Sequence, residues 1–72
     1  MKKFSVIIAH QHATSISLEE EFYQALTDLA HEKNQPLNQL ITEIDKTRQQ
    51  ENLSSALRVY VLKELQNKLK KH

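Results

Sequence analysis

Apolar and polar residues alternate in twos near the start of the chain and fall into a helical period after that. Over residues 4–18 the even positions are Phe4, Val6, Ile8, His10, His12, Thr14, Ile16 and Leu18. The odd positions are small or polar (Ser5, Ala9, Gln11, Ala13, Ser15, Ser17), with Ile7 the exception. A period of two is the signature of a strand with one buried face. One strand of that length would be unusual, so the pattern predicts two extended pieces with an irregular joint near His10 to Ala13. The sharper piece is Thr14-Ser15-Ile16-Ser17-Leu18, set directly before the acidic helix start Glu19-Glu20-Glu21. It defines a short strand over residues 13–18, preceded by an extended N-terminal arm over residues 1–12.

Three helices follow. The first, over residues 19–34, carries Phe22, Ala25, Leu26, Leu29 and Ala30 as a single apolar stripe. The chain has no glycine, so Asn34 is the candidate for the left-handed residue that ends this helix, and Pro36 enforces the stop. The second helix, residues 37–50, has the stripe Leu37, Leu40, Ile41 and Ile44. The third, residues 52–70, starts at Asn52 as N-cap and holds Leu53, Ala56, Leu57, Tyr60, Val61, Leu65 and Leu69 in period. Val59 and Leu62 fall outside that stripe. A helix apolar on two sides is expected to be buried twice, once on its own chain and once on a neighbour.

Length sharpens this picture. Seventy-two residues make one domain with little room for a core, and without cysteine no disulfide or thiolate zinc site reinforces it. Association with a second copy is the remaining common remedy. The apolar part of the N-terminus, Phe4 to Ala9, is shorter than a signal-peptide core, and no other stretch is long enough to span a membrane. With no cysteine as well, a cytoplasmic protein is expected. The net charge of +1 neither favours nor excludes nucleic acid. Glu19 to Glu21 at a helix start, and Lys63, Lys68, Lys70 and Lys71 toward a helix end, suit helix dipoles.

A lone strand followed by helices has no mate within its own chain, which points to pairing with a second copy. This order resembles the ribbon-helix-helix DNA-binding family, the architecture of the Arc and MetJ repressors. The likeness covers Ala13 to Asp45. It rests on the alternating Thr14 to Leu18, on the stripe Phe22/Leu26/Leu29/Ala30, and on Leu37-Asn38-Gln39-Leu40-Ile41. Thr14 to Glu19, Ile44-Asp45 and Asn52-Leu53-Ser54-Ser55-Ala56-Leu57-Arg58-Val59 look like a bacterial subfamily with an added third helix.

The resemblance implies a mainly α fold with one short N-terminal strand. Two chains would intertwine as a homodimer with a two-stranded antiparallel ribbon, plus the C-terminal helix. The dimer core would then be Ile16, Leu18, Phe22, Leu26, Leu29, Leu40, Ile41, Ile44, Leu57 and Val61. Stability should depend on protein concentration. Ala13, Ser15 and Ser17 would enter the major groove of double-stranded DNA. Leu37 and Asn38, at the start of the second helix, would hold phosphates. Lys2 and Lys3 are arm residues for the DNA backbone.

Two departures weaken the expected grip. Ala13 stands where members often carry a long basic or amide side chain, and Pro36 replaces a usual Ser or Thr, removing a hydroxyl and an N–H. The function implied is sequence-specific DNA binding by a bacterial transcriptional repressor. The rival is an antitoxin-like module that binds a toxin or other protein through the third helix.

Other chemistry is poorly supported. His10 and His12 share a strand face, but a metal site needs further ligands, and polar loop residues are the simpler reading. No metal or other cofactor is expected. With no cysteine, no Gly-rich phosphate loop and no enclosed pocket at this size, the chain is not read as an enzyme.

Overall fold

The computed structural model describes residues 1–8, 12–49 and 52–70, the side chain of His12 excepted. Strands β1 (Lys2–Ile8) and β2 (His12–Leu18) are followed by helices α1 (Glu20–Glu32), α2 (Leu37–Thr47) and α3 (Leu53–Lys70). The two strands pair antiparallel with each other, in the register Lys2 opposite Leu18, Phe4 opposite Ile16 and Ile8 opposite His12. This corrects the expectation of one strand seeking a second copy. The N-terminal arm is itself a strand, and it supplies the mate that β2 needs from within the chain.

Register then decides the faces. Phe4, Val6, Ile8, Thr14, Ile16 and Leu18 turn toward the helices, with Val6, Ile16 and Leu18 buried. They join Leu26, Leu29, Ala30, Leu40, Ile41, Ile44, Leu53, Ala56, Leu57 and Val61 in one core, with Phe22 and Tyr60 packed against it at partial exposure. The residues expected to form a dimer core therefore close a core inside one chain. Burial of each such side chain contributes about 1.5–3 kcal/mol.

The helix ends follow from local chemistry. Asn34 takes φ 56°. The N–H of Gln35 donates to the carbonyl of Ala30 and that of Asn34 to His31, both at 3.0 Å, which is a Schellman closure with asparagine in the usual glycine position. Helix α2 stops at Thr47, earlier than residue 50, because Arg48 is already extended and no apolar residue follows Ile44 until Leu53. Helix α3 is capped by Asn52, whose Oδ1 accepts the N–H of Ser55 at 3.1 Å.

Helix α3 lies along α1, fastened by Lys33–Glu64 at 3.4 Å and Lys68–Glu32 at 2.7 Å. In this seam burial raises the Tyr60 phenol above its ordinary pKa. Lys33 is raised as well, by the Tyr60 oxygen first and the Glu64 carboxylate next. Val61 and Leu57 are buried, whereas Leu62, Leu65 and Leu69 are exposed. Leu65 and Leu69 thus continue the stripe of Leu57 and Val61 beyond the part that the chain's own core covers, and Leu62, outside that stripe, is exposed as well.

Candidate nucleic-acid interface

The solvent face of the ribbon is built from the odd positions of both strands. Three cross-strand pairs lie along it: Lys3 opposite Ser17, Ser5 opposite Ser15, and Ile7 opposite Ala13. All are exposed except Ser17, which is half-buried. Ala13, Ser15 and Ser17 thus share one outward face, as their spacing implied. Sequence reasoning missed that Lys3, Ser5 and Ile7 complete it. Lys2 belongs to the opposite parity, and its Nζ lies 5.2 Å from the centre of the Tyr23 ring. Phe4 meets the same ring edge-on at 4.9 Å. Tyr23 thus pins the start of β1 onto α1.

Both edges of the ribbon are held by the first turn of a helix. At the β1 edge the Asn38 side chain acts as a short piece of strand. Its Oδ1 accepts the N–H of Ile7, and its amide nitrogen donates to the Ile7 carbonyl, both at 2.8 Å. Thr42 donates to the same carbonyl at 3.3 Å. At the β2 edge Ser54 Oγ donates to the carbonyl of Ser17 at 3.2 Å.

The two arrangements correspond. Ile7 and Ser17 occupy matching places when Ser5-Val6-Ile7-Ile8 is laid over Ser15-Ile16-Ser17-Leu18. Asn38 and Ser54 are each the second residue of their helix. One chain thereby builds a pseudo-two-fold ribbon flanked by two helix starts. The weak likeness of the two strand sequences was the available signal.

The start of α2 has further capacity. Its N-cap is Pro36, with no side-chain cap. The N–H groups of Gln39 and Leu40 fold back on the Pro36 carbonyl at 3.1 and 3.2 Å, so those of Leu37 and Asn38 remain for an outside acceptor. The Asn38 amide is spent on Ile7, and what it offers a phosphate is its backbone.

Acidic residues beside the ribbon are partly neutralised. Glu19, which follows β2, accepts from Arg58 at 2.9 and 3.3 Å. That hydrogen bond from Arg58 is the main cause holding the Glu19 carboxyl below its ordinary pKa. His10 and Gln11 lie outside the described residues. Among the described residues no group of three or more His, Cys, Asp or Glu could hold a metal ion, and no helix is long and apolar enough to cross a membrane.

A two-stranded ribbon over a helical layer, with one helix start open at its edge, is the architecture the chain presents. The chain belongs to the ribbon-helix-helix domain family, whose model matches residues 1–65. Such domains are in general regulatory, DNA-binding modules. No curated protein and no solved structure matches the chain.

Proposed function

We propose that this protein binds double-stranded DNA sequence-specifically and acts as a transcriptional repressor in the bacterial cytoplasm. The observation that carries the reading is the outward ribbon face, on which Ser15 is exposed and Ser17 half-buried, with the uncapped start of α2 at the β1 edge beside Ile7. A two-stranded ribbon fits the major groove, and serine hydroxyls can donate to or accept from base edges there. The N–H groups of Leu37 and Asn38 would take a phosphate and fix register without reading sequence. Lys2, lying over Tyr23 on the helix side of the ribbon, serves the packing of β1 onto α1 and is assigned no base.

The test is a gel-shift series with Ser15→Ala/Ser17→Ala. The double variant should fold normally and lose specific affinity, by about 1–3 kcal/mol for each well-formed contact. Unchanged affinity and specificity would remove these residues from the reading face.

A second reading is favoured by Leu62, Leu65 and Leu69. They stand exposed at spacings of three and four along α3, the pattern of a seam for a partner helix. A second copy on this seam would give a homodimer carrying two ribbons, while a toxin-like protein would give a complex between different chains. Mass measurement in solution separates them. A dimer that Leu62→Lys dissolves indicates the first, and a monomer that gains mass only with a neighbour-encoded protein indicates the second.

A further inference from the structure

A ribbon made from two copies of one strand has a two-fold axis, so its two ends offer the same side chains to DNA. The ribbon of this chain has only a pseudo-axis, and its ends differ in chemistry. One end pairs Lys3 with Ser17, a cation beside a hydroxyl. The other pairs Ile7 with Ala13, both apolar. Ile7 is 57% exposed and is the largest apolar side chain on this face. Its position is not slack, because Asn38 and Thr42 hold its backbone.

We propose that the hairpin is a directional reading head, in which Lys3 selects a guanine and Ile7 packs on a thymine methyl group at the opposite end. The inference rests on the DNA-binding reading above and adds two specificity residues and a polarity to it. The chemistry follows from the groove itself. Guanine presents O6 and N7 as acceptors for a lysine ammonium, and the thymine C5-methyl is the one apolar group on the major-groove edge. Lys3 supplies the long cation that Ala13 lacks, from the strand that takes the place of a partner's. Four residues of strand span about 13 Å, or roughly four base-pair steps of duplex. The selected core should therefore be asymmetric, with guanine and thymine about that far apart. The central pair Ser5 and Ser15 would lie between them, adding modest discrimination.

The experiment is selection of bound sequences from random duplex DNA with the wild-type chain, Lys3→Ala, Lys3→Arg and Ile7→Ser. It is repeated with Ser5→Cys/Ser15→Cys oxidised beforehand. Ser5 and Ser15 face each other at a pair whose amides turn away from the partner strand. The Cα atoms at such a site are close enough for a disulfide. The native chain has no cysteine, so any cross-link is the engineered one.

The oxidised variant should run as a single chain on a non-reducing gel and keep guanine and thymine at the two ends of the core, losing preference only at the positions between them that Ser5 and Ser15 face. Lys3→Ala should lose roughly tenfold of the preference for guanine at one end only, with Lys3→Arg restoring it. Ile7→Ser should lose the thymine preference at the other end alone. A palindromic core, changes at both ends from either substitution, or a cross-link joining two chains would overturn the directional head while leaving DNA binding in place. No enriched sequence from the wild type would overturn the DNA reading, and this inference with it.

Discussion

Asn38 shows how one side chain can serve two elements. As the second residue of α2 it reads in the sequence as a phosphate-holding helix-start asparagine, yet its amide completes two hydrogen bonds that β1 would otherwise make with another strand. Asn38→Ala leaves the Ile7 N–H and carbonyl without this partner. The site is exposed, so water recovers part of the loss, and the expected destabilisation is about 1 kcal/mol in urea unfolding. Asn38→Asp keeps the acceptor but removes the donor, and should fall between wild type and Asn38→Ala.

Glu19 gives a pH signature at the same scale. Its carboxyl is held below the ordinary value chiefly by the Arg58 hydrogen bond, so the unfolded chain binds this proton more readily than the folded one. The contribution is complete above the ordinary carboxylate range. It is lost as pH falls from that range through the depressed value. Removing the guanidinium with Arg58→Ala should flatten the acid limb of stability against pH in that window, and leave the alkaline limb in place.

Among the elements, α3 divides most clearly. Leu57 is fully buried in its first half, whereas Leu65, two turns on, is half exposed. Leu57→Ala should cost about 2–5 kcal/mol. Leu65→Ala should leave thermal stability of the single chain nearly unchanged, and scanning calorimetry distinguishes the two. Helical period marked all three helices and most of the core correctly, because a 3.6-residue repeat fixes which residues share a face. It could not show where along α3 burial stops. Leu57, Val61, Leu65 and Leu69 continue one repeat, but the chain has packing for only the first part of it. The end of α2 was misplaced for a related reason: nothing in Asp45 to Gln50 forbids a helix, and only the absence of apolar residues after Ile44 stops it.

For the whole molecule, the decisive fact is the mate of β2. Alternation over residues 4–18 separated the even from the odd positions, and Ala13, Ser15 and Ser17 were legible as one outward set. It carries no information about which strand lies alongside, since β1 in the same chain and β2 of a second copy satisfy the same pattern. The pairing became visible only through the register, together with the Asn38 and Ser54 contacts that fasten its edges. With that pairing, one chain holds the ribbon, the core beneath it and the open start of α2. On the proposed function, this surface meets DNA. Backbone amide NMR of the labelled chain titrated with a selected duplex tests it directly. Shifts are expected at Lys3, Ser5, Ile7, Ala13, Ser15, Ser17, Leu37 and Asn38, with residues 62–70 unmoved and the shifts reversed by added salt. Shifts confined to α3, or a ribbon unmoved by saturating duplex, would contradict it.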